Sequence, residues 1–143
     1  MTSRAILDTD TLSEIIKTKN QIVLQNADNY LDDHGHLTFT SATVHEVLYG
    51  LECKAATRQI EEFLDLVADH DEIVPDVEDY RLAARIRGAL QRAGTPIGVL
   101  DPLIAACALE RGLVLITGNM RHHSFIQEAG FDLELVNWRE PQP

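Results

Sequence analysis

The chain has 143 residues, of which 45% are hydrophobic and 24% charged, and its formal net charge is −11. This composition is typical of a globular protein, and a chain of this length can bury one continuous core, so we expect a single domain over residues 1–143. No apolar run approaches the roughly 20 residues that span a bilayer, and the apolar N-terminal stretch is too short for a signal peptide, which predicts a cytoplasmic protein without membrane contact. The acidity argues against tight, unspecific nucleic-acid binding but not against an enzyme that gathers carboxylates around metal ions.

Apolar runs alternate with turn residues along the chain, which is the pattern of short strands separated by helices. The runs predicted as strands are residues 5–7, 37–39, 73–74, 114–116 and 133–136. Helical spacing predicts helices from Thr11, around Ile22, after an N-cap at Ser41, and over residues 60–67, 76–93 and 104–109. Strands that alternate with helices form a parallel sheet covered on both faces, so we expect an α/β fold.

Several polar residues stand at or just beyond the predicted strand ends. In an open parallel sheet, ligands bind in the crevice beyond the carboxyl ends of the strands, so we expect these side chains to converge. They are Asp8 and Asp10 after the first strand, Glu46 in the helix after the second, Asp101 at the head of the apolar helix, and Thr117 and Asn119 after the fourth strand.

The chemistry that needs such a cluster of acids is metal-assisted hydrolysis of a phosphodiester. Mg²⁺ takes oxygen ligands, keeps several waters and usually needs only a few carboxylates together with substrate phosphate. One or two such ions orient a water, lower its pKa and stabilise the leaving oxygen. Without metal the clustered carboxylates repel one another, and we expect one or more of their pKa values to rise.

The same residue types also have purely structural roles, and the spacing alone leaves these open. Asp, Thr and Asn are common at helix caps and turns, and an Asp followed by Pro is a good N-cap and first helical residue. The alternatives are helix caps for Asp8, Asp10 and Asp101, a solvated helix acid for Glu46, and turn residues for Thr117 and Asn119.

Four segments together resemble the PIN-domain toxins of the VapC group. They are residues 6–14 (ILDTDTLSE), 41–51 (SATVHEVLYGL), 97–106 (IGVLDPLIAA) and 115–121 (LITGNMR). The segments occur in the order that the family has, and the resemblance covers nearly the whole chain. No single segment is decisive, but the combination is specific.

The resemblance implies a three-layer α/β/α fold with a central five-stranded parallel sheet and an endoribonuclease that depends on Mg²⁺ or Mn²⁺. It also implies a homodimer and a small antitoxin partner that blocks the site; transfer RNA is one candidate among the RNA substrates. By position, the three acids that hold metal in the family correspond to Asp8, Glu46 and Asp101, and polar residues that order the site correspond to Thr117 and Asn119. Thr9, which directly follows Asp8, is a further candidate for ordering the site.

One departure from the family pattern concerns its fourth acid. Many members carry this acid shortly after the Thr-x-Asn segment, where this chain has His122 and His123. His122 has three possible roles: a neutral metal ligand, a phosphate contact or a solvated surface histidine. Because a fourth carboxylate is missing, we expect one firmly held ion, and two fully occupied Mn²⁺ sites in anomalous scattering would contradict this.

A basic face on the helix predicted over residues 76–93 is a second candidate for contact with RNA. At about 100° per residue, Arg81, Arg85 and Arg92 lie within roughly 40° of one another. The planar guanidinium suits phosphate because it donates to two oxygens at once, so we predict a phosphate contact for Arg85. The alternative is a solvated basic face that pairs with neighbouring acids.

Two other functions compete with the nuclease. In an aspartyl-phosphate phosphatase Asp8 would be the nucleophile and Asp10 a general acid, but such enzymes need a later lysine, and the last lysine here is Lys54. A non-catalytic PIN-fold module that binds RNA or protein is the other alternative, and the complete set of three acids speaks against it. A third alternative keeps the nuclease activity but has no antitoxin partner.

Overall fold

Short strands and helices alternate along the chain in a computed structural model that describes residues 1–143. The strands are β1 (Ala5–Leu7), β2 (Thr38–Thr40), β3 (Asp71–Ile73), β4 (Val114–Ile116) and β5 (Leu135–Val136). The helices are α1 (Thr9–Lys17), α2 (Gln21–His34), α3 (Ser41–Cys53), α4 (Thr57–Asp69), α5 (Val77–Arg92), α6 (Leu100–Arg111) and α7 (Met120–Glu128). The α/β class predicted from the sequence is confirmed. No helix is long and apolar enough to cross a membrane.

All strand pairs are parallel, but the strands form two sheets instead of one. β1 pairs with β4 in the register Ala5↔Val114, and β4 pairs with β5 in the register Leu115↔Leu135, which gives a three-stranded sheet. β2 and β3 form a separate pair, and β2 lies beside β1 without a hydrogen-bonded ladder. The expectation of one central five-stranded sheet is therefore wrong in the number of strands, because the central sheet has three.

The side chain of Tyr30 accounts for the break between β1 and β2. The Tyr30 hydroxyl accepts a hydrogen bond from the Ala5 N–H at 3.1 Å and donates one to the Ala5 carbonyl oxygen at 3.3 Å. These are the backbone groups that, in a parallel strand, face away from β4 and toward the next neighbour. Because a helix side chain already satisfies them, a three-residue strand has few groups left for pairing with β2.

Alternate residues of the central strands pack into two separate layers. Ile6 and Leu115 lie in a core with the buried residues of α5, α6 and α7, whereas Leu7 and Ile116 lie in a second core with α1, α2 and α4. This alternation follows from the two-residue period of a strand. Helices therefore cover both faces of the three-stranded sheet, as the α/β/α expectation requires.

The element boundaries differ from the sequence-based expectations in several places. α3 is capped by Thr40, whose hydroxyl accepts a hydrogen bond from the Thr43 N–H at 3.2 Å, and not by Ser41. Thr40 and Ser41 are adjacent hydroxyl residues, and pattern alone does not separate them. α7 was not expected from the pattern at all, although it follows β4 directly and its residues His123 and Ile126 are buried.

Candidate active site

Asp8 lies at the end of β1, and both of its carboxylate oxygens are held by hydrogen bonds. Oδ1 accepts from the Thr11 N–H at 2.8 Å, so Asp8 is the N-cap of α1. Oδ2 accepts from the Thr117 hydroxyl at 2.6 Å. The side chain is only 3% exposed. Asp8 can therefore cap α1 and belong to the site at the same time. Asp10 is an exposed residue in the first turn of α1 and is not the helix cap.

Thr117 reaches Asp8 because β1 and β4 are neighbours in parallel register. The Asp8 N–H donates to the Ile116 carbonyl oxygen at 3.0 Å, which brings the residue after each strand to the same edge. The buried Thr117 hydroxyl also accepts a hydrogen bond from the Asn119 N–H at 2.9 Å. Thr117 therefore connects the end of β1 to the loop that begins α7.

Glu46 is positioned by Thr9 across the gap between α1 and α3. The Thr9 hydroxyl donates to Glu46 Oε1 at 2.5 Å and lies 3.3 Å from the Thr43 hydroxyl oxygen. The Glu46 side chain is half-buried on the second turn of α3. The structure therefore does not support the reading of Glu46 as an ordinary solvated helix acid.

Asp101 lies in the first turn of α6 and is half-buried. The helix is capped at Val99 without a side-chain hydrogen bond, so the N-cap interpretation of Asp101 is wrong. Burial raises the pKa of Asp101, the carboxylates of Asp8, Glu46 and Asp10 raise it further, and the nearby His123 opposes them. Charges from two other segments of the chain thus act on the Asp101 carboxyl, as expected where carboxylates lie near one another.

Asn119 and His122 form a local pair at the start of α7. Asn119 caps this helix by accepting from the His122 N–H at 3.4 Å, and its side-chain Nδ2 lies 2.9 Å from His122 Nδ1. The His122 ring is exposed. The turn and cap roles of Asn119 are therefore real, and they place it beside Thr117 at the edge of the carboxylate cluster.

Arg85 is the one predicted site residue that lies apart from this cluster. With Arg92 it lines a groove of about 590 Å³ between α5 and the residues after α7, including Phe131. α7 begins at the site and the groove lies beyond its other end, roughly 14 Å along the helix at the usual rise per residue. Arg81 pairs with Glu78 at 3.1 Å, as the solvated-face reading expected.

Comparisons with known proteins identify this fold. The PIN-domain family model matches residues 5–125. The chain belongs to the PIN-domain family. Within it, the chain is similar to two relatives named tRNA(fMet)-specific endonuclease VapC, at 32% identity for Shigella flexneri and 31% for Salmonella typhimurium, each match covering 81% of this chain and 86% of the relative. The VapC-group resemblance of the four sequence segments is confirmed.

A solved structure supports the same placement of the PIN domain. The crystal structure of DNA-bound VapBC from Salmonella typhimurium superposes on 96% of this chain and 99% of its own matched chain, with a TM-score of 0.80 and 27% sequence identity. The order of strands and helices described above is therefore that of a VapC-type PIN domain along almost the whole chain.

The donor set of this PIN domain fits a hard divalent cation. No three or more His, Cys, Asp or Glu side chains are grouped so that they could hold a metal ion, so the structure shows no protein cage for one. Mg²⁺ and Mn²⁺ do not need such a cage, because they bind through a few carboxylates and keep several waters. Asp8, Glu46 and Asp101 offer carboxylate oxygens of this kind, and a cation would relieve the repulsion that raises the pKa of Asp101.

Three residues at this site escaped the sequence analysis. His123 is fully buried, its Nδ1 lies 3.0 Å from the Asn119 carbonyl oxygen, and its Nε2 has no partner. Glu14 and Arg139 form an ion pair at 2.5 Å beside the acids. The adjacent histidines after the Thr-x-Asn segment were the only signal for His123, and no local pattern linked Glu14 to Arg139.

Proposed function

We propose that this PIN domain is a Mg²⁺-dependent endoribonuclease, with Mn²⁺ as a substitute ion, and that it acts as the toxin of a toxin–antitoxin pair. The observation that carries the proposal is the convergence of Asp8, Glu46 and Asp101. They come from three separate segments, and the charges of the first two act on the half-buried carboxyl of the third.

The side chains around the acids prepare them for a cation and a phosphodiester. Thr117 and the Thr11 N–H fix both oxygens of Asp8, and Thr9 fixes one oxygen of Glu46, so neither carboxylate has to reorganise when an ion enters. When bound, Mg²⁺ supplies a water of lowered pKa and offsets charge on the leaving oxygen. Burial and the neighbouring carboxylates raise the pKa of the half-buried Asp101, and a bound cation would offset this repulsion.

We propose transfer RNA as the substrate class. The two relatives carry names that specify tRNA(fMet), and they match this chain over 125 residues. The cluster itself recognises a phosphodiester and a divalent ion, so the choice among RNAs would come from contacts outside it. His122, exposed at the rim, is available to a phosphate of the bound strand.

The proposed partner is a small antitoxin, and a groove beside the site offers it a place. The groove has a volume of about 700 Å³, runs between α1, α3 and α4, and includes both Thr9 and Glu46. Its wall is partly apolar, with Val47, Leu51 and Phe63 among its residues. A segment of the antitoxin bound there would cover Glu46. The matched structure from Salmonella typhimurium is a VapBC complex, which supports a partner of this kind. The homodimer implied by the family resemblance is part of the same proposal.

The sequence disfavours the competing phosphatase, because such an enzyme needs a lysine later in the chain and no lysine follows Lys54. The non-catalytic binding module differs from the nuclease in one measurable respect, since it would bind RNA without cutting it.

The test is cleavage of a total RNA pool by the purified protein, freed of any antitoxin, in Mg²⁺, in EDTA and as the Asp101→Asn variant, with the cut ends mapped. We expect cuts only with Mg²⁺ and wild-type protein, at defined positions in transfer RNA. Binding of RNA without cuts in any lane would favour the non-catalytic module. Co-expression with the neighbouring open reading frame should suppress toxicity. Persistent toxicity would contradict the proposed antitoxin partner but not the nuclease activity.

A further inference from the structure

The C-terminal segment of the chain returns to the site and is anchored there by buried contacts. Trp138 is buried and packs near Tyr30, with ring centroids 5.7 Å apart. The Asn26 amide donates to the carbonyl oxygens of Trp138 at 2.9 Å and of Glu140 at 3.0 Å. Arg139 lies between these two fixed residues, so its backbone has little freedom.

The guanidinium of Arg139 has a defined position next to the carboxylate cluster. Its Nε donates to Glu14 Oε1 at 2.7 Å, and Nη2 lies 2.5 Å from the same oxygen. The group also lies against Gly118, where an added Cβ would come within 2.6 Å of Arg139 Cζ. Gly118 is the only glycine of the chain at which a methyl group would collide in this way, and it stands between Thr117 and Asn119.

The charge of Arg139 acts on the site as well as on Glu14. The pKa of Arg139 is raised first by its hydrogen bond to Glu14 and further by the carboxylates of Asp10 and Asp8. Glu14 uses one oxygen for the pair, while Nη1 of Arg139 bonds no acceptor of the chain. The guanidinium is thus held in place by one edge and retains donors for another anion.

We propose that Arg139 binds a phosphate of the RNA strand at the nuclease site, in an orientation set by Glu14 and by the space above Gly118. The inference rests on the proposed nuclease function and adds a substrate-binding residue to it. Three clustered carboxylates repel a phosphodiester, and a guanidinium beside them offsets this repulsion while its planar edge can bond two phosphate oxygens. Because the side chain is already held in position, little ordering remains to oppose binding.

A purely structural reading makes Arg139 a tether that ties the C-terminus to α1 through Glu14. The tether and the phosphate contact predict different experimental results. A tether affects the melting temperature and leaves the interaction with RNA unchanged, whereas a phosphate contact affects KM and the salt dependence of binding.

The experiment compares Arg139→Gln with Gly118→Ala and with a matched control, Arg58→Gln, which removes an ion-paired arginine on α4. For cleavage of a single-stranded RNA reporter in Mg²⁺, we expect Arg139→Gln to raise KM about tenfold and to change kcat by less than about twofold, as for loss of uniform binding. Gly118→Ala should raise KM in the same direction with all charges retained, and without shifting the Mg²⁺ concentration for half-activity. Arg58→Gln should match the wild type.

Binding without turnover provides a second measurement. In an Asp101→Asn background, the slope of log Kd against log salt should become shallower by about 0.7 when Arg139→Gln is added, the value for one phosphate contact on a single strand. Suppose that the wild type cleaves RNA, that Arg139→Gln and Gly118→Ala have the wild-type KM, and that Arg139→Gln does not change the salt slope of its parent. Arg139 is then only a tether, and the nuclease proposal stands. If the wild type neither binds nor cleaves RNA, the proposed function fails and the inference fails with it. Should Arg139→Gln not fold, an unchanged KM in Gly118→Ala overturns the inference by itself.

Discussion

The Thr117 hydroxyl donates a 2.6 Å hydrogen bond to Asp8 Oδ2, although the two residues are 109 positions apart in the chain. The bond forms because β1 and β4 are parallel neighbours and each residue directly follows its strand. Both side chains are buried, so water does not compete for the bond. The orientation of the first acid of the site is therefore determined by the pairing of two strands.

Replacing Thr117 with valine tests whether this bond serves the site. Thr117→Val keeps the shape of the side chain and removes the donor to Asp8, so metal affinity or activity should fall about 10- to 100-fold, as for other partners of metal ligands. The measurement is the Mg²⁺ dependence of RNA cleavage. Thr57→Val, at an exposed threonine on α4, is the control and should behave as the wild type. Equal activity in both variants would show that the bond has only a structural role.

Removing the charge of Asp101 should stabilise the protein when no metal is present. The pKa of Asp101 is raised, so the folded chain binds this proton more tightly than the unfolded chain, and its contribution to stability is lost as the pH rises through the folded pKa. At pH 7 without metal, Asp101→Asn should melt a few degrees higher than the wild type, and Mg²⁺ should no longer raise its melting temperature. Asp65→Asn, at an exposed acid on α4, should do neither. A metal-free Asp101→Asn that melts below the wild type would argue against repulsion at the site.

The ion pair between Asp79 and Arg111 should control stability at acid pH. Asp79 is fully buried, its two oxygens accept from Arg111 at 2.8 and 2.9 Å, and this interaction lowers the pKa of Asp79. Asp79→Asn should cost about 2 kcal/mol at pH 7, somewhat less than for a fully buried pair, because Arg111 remains 28% exposed.

The pH dependence of that pair has a definite sign. The folded pKa of Asp79 is lowered, so its contribution is present above the ordinary carboxyl value of about 4 and is lost as the pH falls further. Urea unfolding at several pH values should show this loss in the wild type and not in Asp79→Asn. Glu78→Gln, which breaks the exposed pair with Arg81, should change stability by less than about 0.5 kcal/mol. Parallel pH curves for the wild type and Asp79→Asn would contradict this account.

His70 should weaken the fold in mildly acidic solution. The Leu37 N–H donates to His70 Nδ1 at 3.0 Å, which requires an unprotonated nitrogen. Burial lowers the pKa of His70 and the nearby His36 lowers it further, while Asp69 and Asp71 oppose them. The stabilisation is complete above about pH 6.5 and is lost as the pH falls through the lowered pKa.

The measurement for His70 is urea unfolding at pH 7.5 and pH 5. The loss of stability between these values should be smaller in His70→Asn than in the wild type, because asparagine can accept the Leu37 N–H at either pH. His45→Asn, at an exposed histidine on α3, should show the full wild-type loss. An equal loss in all three proteins would assign the acid sensitivity to other groups.

Arg85 provides a separate prediction, because its groove lies beyond the far end of α7. If a long RNA extends into this groove, Arg85→Ala should weaken binding of transfer RNA and make its salt slope shallower by about 0.9, as for one phosphate on a duplex. A short single-stranded RNA that only reaches the acids should bind Arg85→Ala as it binds the wild type. An unchanged salt slope with transfer RNA would leave Arg85 as a solvated surface residue.

The side chains whose proximity could be predicted are those whose position follows from the end of a strand. Asp8 and Thr117 directly follow apolar runs, and parallel strands bring such ends together whatever the details of the helices. Arg139 and Glu14 were missed because their contact depends on the path of the C-terminal segment around Trp138. Local patterns carry no information about such a path.

The errors in the fold also have specific physical causes. The expected five-stranded sheet is interrupted because Tyr30, from α2, bonds both backbone groups of Ala5, and no period in the sequence indicates a side chain that replaces a strand partner. Asp101 followed by Pro102 has the residue types of a cap, yet the helix begins at Leu100 and places Asp101 within its first turn. In both cases tertiary contacts prevail over local preference.

Titration of Mn²⁺ into the antitoxin-free protein, with the free ion followed by electron paramagnetic resonance, tests the central claim most directly. The proteins to compare are the wild type, Asp8→Asn, Glu46→Gln and Asp101→Asn, each shown to be folded by circular dichroism. The account predicts one ion on the wild type and binding weakened by at least about tenfold in every variant. If all three variants bind Mn²⁺ as tightly as the wild type, these acids do not form a metal site and the account is contradicted.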